Sequence, residues 1–243
     1  MDKLLGLLFP ICDADKRHMS RFRAELTRLA LPFAVHFDHC CNETKQLFKS
    51  HPLFVGCHED DDPKSFFDES SRNSALAILK ATGFETFIHM DVDETLELEA
   101  PDKLAEAVDE MRAGRCDLVG MHVLNLWGDR NHHRCDPNGP GNREKMFNLK
   151  IDPTMVYYHP TIHAPKVKPH GREAVVWMSP CLVLHWGIMS FEDAEDHQKR
   201  WAEIYTRKVG GDPYLTYQYL MDRSINPLLK PVPAGVLVEG VDR

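Results

Sequence analysis

Short, nearly unbroken apolar runs alternate with stretches of helical periodicity through the first half of the chain. Lys3 to Cys12 (KLLGLLFPIC) reads as a buried strand ended by Pro10 and the Asp that follows. From Asp15 to Leu31, Met19, Phe22, Leu26 and Leu29 recur at the spacing that lines one face of a helix. Phe33 to Asp38 (FAVHFD) predicts a second strand, Asn42 to Lys49 a short helix, and Pro52 to Gly56 a third, shorter strand. His58 to Asp62 (HEDDD) reads as a solvated acidic loop. Ser70 caps a helix that reaches about Ala81 and is stopped by Gly83. Thr86 to Met90 is a fourth strand. Pro101 opens a helix to about Ala113 with Leu104, Ala107, Val108 and Met111 on one face, and Cys116 to Leu126 is a fifth strand. Strands and helices in alternation predict an α/β fold, a mostly parallel sheet flanked by helices.

The second half has a different texture. Gly128 to Arg143 (GDRNHHRCDPNGPGNR) is polar and rich in Gly and Pro, which predicts a loop able to close over a ligand. Short strands follow near Met155 to His159 and Val175 to Leu184, with turns around Pro165 to Gly171. Phe191 to Val209 predicts a helix with Ala194, His197, Trp201 and Ile204 inward, and Pro213 to Met221 another. The proline-bearing tail reads as extended.

Composition narrows the function. The chain has 243 residues, 43% hydrophobic and 27% charged, so it can bury a sizeable α/β core. Its net charge of −8 argues against a protein living on nucleic-acid backbone contacts. The longest apolar stretch, Leu4 to Cys12, is far below the roughly 20 residues that span a bilayer, and it lacks the flanks of a signal peptide. An odd count of seven cysteines, irregularly spaced and without a C-x-x-C pair, fits a reducing cytoplasmic setting and speaks against a structural zinc site.

The strongest chemical signal is FIHMDVDETLE, residues 87–97. Asp91, Asp93 and Glu94 crowd the end of a buried strand, where open α/β sheets bind ligands. Residues two apart share a face of a strand, so Asp91 and Asp93 can aim at one point if strand geometry persists. A hard divalent cation that prefers oxygen, Mg²⁺ or Mn²⁺, would relieve the repulsion and leave positions open for phosphate oxygens. His185, after an apolar strand, would complete a mixed carboxylate and imidazole set; His163 is a further candidate.

Two families carry such an acidic pair. Asp91-Val92-Asp93-Glu94-Thr95-Leu96 matches the D-x-D-x-T-L nucleophile loop of HAD-type phosphatases, in which Asp91 would attack phosphorus and Asp93 would act as acid and base. That loop normally lies on the first strand of its domain, and here three strands precede it. The run Arg72-Asn73-Ser74-Ala75-Leu76, Ala81-Thr82-Gly83, then strand and Asp91-Val92-Asp93-Glu94 resembles GT-A glycosyltransferases, especially family 2, in order and spacing. Weaker echoes are Pro10-Ile11-Cys12, Asp38, Lys145-Met146-Phe147, Thr161-Ile162-His163 and Leu184-His185-Trp186-Gly187. Ala164 departs from the pattern, standing where a Glu often follows the His.

The resemblance implies a GT-A-like, Rossmann-like domain over residues 1–243. Residues 1–126 would bind a nucleotide-sugar, most naturally a UDP-sugar. Residues 127–243 would form a smaller acceptor-side subregion with C-terminal helices. Pro10, Asp38, Arg72, Asn73, Asp91 and Lys145 would bind the donor, and Asp91, Asp93 and His185 the metal, Mn²⁺ or Mg²⁺. Arg143 and Lys145 would offset charge on the departing diphosphate. Asp129 leads the candidates for the base that activates the acceptor hydroxyl, with Glu144, Asp152 and Asp193 behind it; inversion at the anomeric carbon is implied. Acceptors left open are a saccharide, a lipid-linked glycan or another hydroxyl, a modified nucleobase included. The other readings are a HAD-type phosphatase and a nucleotide-sugar-binding module without catalysis.

Overall fold

The computed structural model describes residues 5–61, 69–136, 144–150, 174–208, 222–224 and 226–239, with the backbone course alone for 69–72, 144–150 and 200–208. Its first half is built on four parallel strands: β1 (Leu5–Cys12), β2 (Phe33–Asp38), β3 (Phe54–Asp60) and β4 (Thr86–His89), ordered β4-β1-β2-β3. The helices between them are α1 (Lys16–Leu29), α2 (Asn42–Lys49) and α3 (Glu69–Ala81), and α4 (Ala100–Arg112) follows β4. Strand alternation sorts the core into two layers. Leu7, Phe9, Ile11, Phe33, Val35 and Phe37 pack with Met19, Phe22 and Leu26 of α1 and Phe48 of α2. Leu8, Ala34 and Phe87 face Ala75, Leu76 and Leu79 of α3 on the other side. Gly6 allows that second layer to close tightly, because a Cβ there would stand 3.0 Å from Leu79 Cδ2.

The strand β1 runs through Pro10 to Cys12 instead of ending at the proline. Leu7 donates its N–H toward the β2 side, to Pro32 O, so the imino nitrogen of Pro10 faces the opposite side. Pairing with β4 has already stopped there, at Leu8 and His89, and no ladder bond is lost.

Two expectations of loop are corrected. The acidic residues His58 to Asp60 belong to β3, in register with His36 to Asp38. Glu59 is held there by Lys45 at 2.9 Å and Lys49 at 2.5 Å, both from α2, so the negative charge is neutralised on the strand. Residues Asp129–Arg134, expected in the mobile loop, form strand β7. Gly128 adopts φ 78°, which lets the chain turn, and β7 pairs antiparallel with β6 (Leu118–Trp127). The rest of that expected loop, 137–143, lies outside the described residues.

The second half extends the sheet. Strand β8 (Glu144–Lys150) lies antiparallel between β4 and β6, so β6 runs the same way as β1 to β4. Strand β9 (Val176–His185) runs parallel to β6, and the short β5 (Glu94–Leu96) pairs antiparallel with β9. Strand β10 (Leu229–Pro231) covers the edge of β7. A small cluster of Leu124, Leu126, Leu184, Trp186 and Val236 packs this half, ahead of α5 (Phe191–Lys208). The elements expected at Met155 to His159, Pro165 to Gly171 and Pro213 to Met221 lie outside the described residues. Among the described residues no helix is long and apolar enough to cross a membrane.

Candidate functional site

The carboxyl ends of β1 to β4 and of β6 share one edge of the sheet, and the acidic motif stands on it. The chain leaves strand geometry after His89 and turns through Val92 and Asp93 into β5. The Asp91 carbonyl accepts the Glu94 N–H at 3.1 Å, while the buried Glu94 carboxylate accepts the Asp91 N–H at 2.8 Å. The expected alternation of Asp91 and Asp93 on one strand face therefore does not apply. Asp91 Oδ1 lies 3.4 Å from His89 Nε2. Asp93 turns instead toward the end of β9.

Asp93 Oδ2 and His185 Nε2 are 3.3 Å apart. The β5–β9 register sets Glu94 beside His185, and Trp186 N–H donates to Asp93 O at 2.8 Å, so backbone pairing fixes the approach. His185 Nδ1 lies 2.8 Å from Asn125 Oδ1 on β6, its register partner. An amide oxygen accepts, so the network assigns the proton of neutral His185 to Nδ1 and leaves a lone pair on Nε2. That lone pair faces a carboxylate oxygen. Two acceptors so placed need a proton or a cation between them. Burial pushes the Asp93 carboxyl up, and the opposing influence of His185 prevails, holding it below the usual carboxylate range. That influence acts only while the ring is protonated and donates from Nε2, so the same two atoms form an ion pair when a proton rather than a metal ion lies between them.

The pair fits a hard divalent ion. Two bonds of about 2.1 Å at a right angle set their donor atoms about 3 Å apart, near the observed separation. Gly187 keeps the space clear: a Cβ there would come within 2.9 Å of His185 Nε2 and closer still to Asp93 Oδ2. Asn125 is the outer partner that such a histidine ligand requires. Among the described residues, no three His, Cys, Asp or Glu side chains converge on one point, so of the expected ligands only Asp93 and His185 are brought together, with Asp91 near enough for its charge to act on Asp93.

Helix α1 holds this centre from below with a stripe of polar residues. Arg17 Nη2 donates to Gly187 O at 3.0 Å and Nη1 to Asp193 Oδ1 at 2.6 Å. Arg21 stacks over Trp186 at 4.0 Å, and Trp186 Nε1 donates to Thr95 Oγ1 at 3.0 Å. Glu25, fully buried, accepts the Leu96 N–H at 2.8 Å and is gripped by Arg28 at 2.7 and 2.6 Å. His18 opens the stripe, buried, with its pKa pushed down to about 4 chiefly by desolvation. None of these polar roles was visible in the sequence, where α1 showed only its apolar face. The spacing His18, Arg21, Glu25, Arg28 is a helical repeat that could have marked them.

The other expected residues are dispersed along the same edge. Pro10 pairs with His36, and buried Asp38 meets the Nδ1 of His39 at 2.6 Å. Arg72 and Asn73 lie early in α3, whose N-terminus points to this edge because the helix returns between parallel strands. Phe87 pairs with Leu149 on β8, and further along the same strand Lys145 pairs with Met121 of β6. Glu144 sits one residue further, across from His122. Asp129 is exposed at the start of β7 and accepts from His132 Nδ1 at 2.9 Å and Asn131 N–H at 2.8 Å. These bonds, that from His132 first, lower its pKa and weaken it as a base. The Asp193 carboxylate is engaged by Arg17 and by Met189 N–H. Trp127 and Trp186, two residues able to stack on a sugar, are both buried; Trp127 meets Phe191 edge-on at 5.2 Å. Asp152, His163 and Arg143 lie outside the described residues.

No protein-family model matches the chain. No curated protein matches it either. Among solved structures, it is similar to the crystal structure of S. aureus TarS 1-349, with a TM-score of 0.47 and 12% identity over 91% of this chain and 73% of that one. The complex of TarS 1-349 with UDP-GlcNAc gives a TM-score of 0.47 and 10% identity over 84% of this chain and 66% of that one. Another S. aureus TarS structure gives 0.42 and 14% over 56% of this chain, which spans 23% of the length of that relative.

Proposed function

We propose that the chain is a metal-dependent glycosyltransferase that moves a sugar from a nucleoside diphosphate, a UDP-sugar by the family resemblance, to an acceptor hydroxyl. The observation that carries this reading is the facing of Asp93 Oδ2 and His185 Nε2 at 3.3 Å, at the carboxyl-end edge of an α/β sheet, where such sheets bind ligands. A Mn²⁺ or Mg²⁺ ion held there would supply positive charge to the diphosphate as it leaves.

The chain's own groups would do the rest. Asn125 fixes the His185 ring so that Nε2 points at Asp93. Asp91, close by, adds negative charge to the ion's surroundings. Arg72 and Asn73 at the start of α3 would hold the nucleotide, and Pro10 and Asp38 at the ends of β1 and β2 would border the base and ribose. Lys145, on β8 opposite Met121 of β6, would neutralise the diphosphate. In the transfer, the bond from the anomeric carbon to the phosphate oxygen breaks and one to the acceptor oxygen forms. The hydroxyl proton passes to a carboxylate of the chain. Asp129, whose Oδ1 already accepts from His132 and Asn131, and Glu144 are the candidates for that role. Attack opposite the leaving diphosphate inverts the anomeric centre.

The phosphatase reading needs Asp91 as nucleophile and Asp93 as acid and base, whereas Asp93 is engaged by His185 of β9 and Asp91 by His89. A panel of UDP-sugars with simple saccharide acceptors and Mn²⁺ tests the choice. Release of UDP with formation of a glycoside, lost in EDTA, is expected. Release of inorganic phosphate from a generic phosphomonoester without nucleotide binding would favour the phosphatase. UDP-sugar binding without turnover would favour a binding module.

A further inference from the structure

His18 carries an unspent hydrogen-bond donor beside the metal pair. Arg17 Nε lies 2.9 Å from His18 Nε2. An arginine N–H can only donate, so Nε2 accepts and the neutral ring holds its proton on Nδ1. His18 is 7% exposed, and its Nδ1 is buried with no hydrogen-bond partner among the described residues. A buried N–H left unpaired costs about 1–3 kcal/mol, so its persistence points to an acceptor that arrives with a ligand.

Geometry says where that acceptor belongs. The same Arg17 that holds His18 donates to Gly187 O at 3.0 Å. Gly187 is the residue whose Cβ would strike both Asp93 Oδ2 and His185 Nε2. The Asp93 carboxylate is also among the charges His18 feels. We propose that His18 Nδ1–H donates to an oxygen of the diphosphate held at the Asp93–His185 centre, with Arg17 as the residue that positions the ring. The identity of the ligand rests on the glycosyltransferase reading.

The tautomer excludes a competing role. A metal ligand must offer a lone pair, and Nδ1 offers a proton while Arg17 occupies Nε2. Burial keeps the ring neutral at physiological pH, so the donor adds one directional bond without bringing a second cation to the metal.

The test is calorimetric titration of the full chain with UDP in the presence of Mg²⁺, and separately with Mn²⁺ alone. His18→Ala is expected to weaken UDP binding roughly tenfold while leaving Mn²⁺ affinity unchanged. His18→Asn, which returns an N–H near the position of Nδ1, is expected to recover most of the loss. Unchanged UDP affinity in a folded His18→Ala protein overturns the assignment. A parallel loss of Mn²⁺ affinity also overturns it, because the ring would then be a ligand. Should His18→Ala fail to fold, the ¹⁵N spectrum of the wild-type ring decides. A protonated Nδ1 whose N–H resonance moves on adding Mg²⁺ and UDP supports the proposal, and one that stays put sinks it. Wild-type protein that binds neither ion nor UDP removes the glycosyltransferase reading as well. Wild-type binding that His18→Ala matches removes this inference alone.

Discussion

The Glu25 carboxylate of α1 accepts the Leu96 N–H of β5 at 2.8 Å, while Arg28 grips the same carboxylate and donates to Leu96 O at 3.0 Å. One edge of β5 is thus paired with β9 and the other with side chains of a helix. The strand that follows Asp93 is fixed from both sides. Glu25→Ala leaves Arg28 and the Leu96 N–H without their partner in a buried place. The expected cost is about 3 kcal/mol of unfolding free energy, read from urea denaturation. Glu25→Gln, which keeps an acceptor for Leu96, should lose less.

A side chain at Gly187 would fill the space beside Asp93 and His185. Gly187→Ala would push a methyl group against Asp93 Oδ2 and His185 Nε2. Displacement on the order of 1 Å at such a centre costs about 100-fold in turnover. The variant should melt near the wild-type temperature yet bind Mn²⁺ weakly, as titration calorimetry would show. Wild-type Mn²⁺ affinity would mean that the ion binds elsewhere.

In the proposed metal site, Asn125 would act on the ion through His185. In Asn125→Leu the ring loses the acceptor that holds the proton on Nδ1. Metal affinity should fall by about 10- to 100-fold, the usual cost of losing such an outer partner. Asn125→Asp keeps an acceptor at the same place and should keep most of the affinity.

The buried His18 ring makes stability depend on pH in a defined window. Its pKa is about 4 in the folded chain against 6.5 for an ordinary histidine. A depressed folded value means that the unfolded chain binds the proton more readily. The contribution is therefore fully present above pH 6.5 and drains away as pH falls from there toward 4. Its ceiling is about 3 kcal/mol. Unfolding free energies of wild type and His18→Asn measured across that range should differ in slope, with the wild type losing more stability on acidification. Identical slopes would contradict a neutral buried ring.

Much of the parallel half was legible because burial on both faces demands continuous apolar runs. FAVHFD is strand β2 residue for residue, and Leu104, Ala107, Val108 and Met111 are the buried face of α4. The polar strand β7 was not legible, since its side chains are largely exposed and its order comes from backbone pairing with β6 and β10. The acidic half of β3 misled for a related reason. Glu59 is neutralised by Lys45 and Lys49 of α2, which hold its pKa down to about 2, and a run of like charges does not announce such partners. At the candidate site, Asp93 and His185 stood out as residue types. The groups that orient them, Asn125, Gly187 and Arg17, did not. Arg17 reaches a carbonyl 170 residues along the chain, a contact that only the folded sheet creates.

The most direct measurement is UDP binding to the wild-type chain and to Asp93→Asn, each with Mn²⁺ and with EDTA. Asparagine keeps the shape of Asp93 and removes its charge. The account predicts binding by the wild type with Mn²⁺, little in EDTA, and little by Asp93→Asn under either condition. Equal UDP affinity in all four experiments would contradict it, because the nucleotide would then be held without the ion and the carboxylate to which the fold gives a histidine partner.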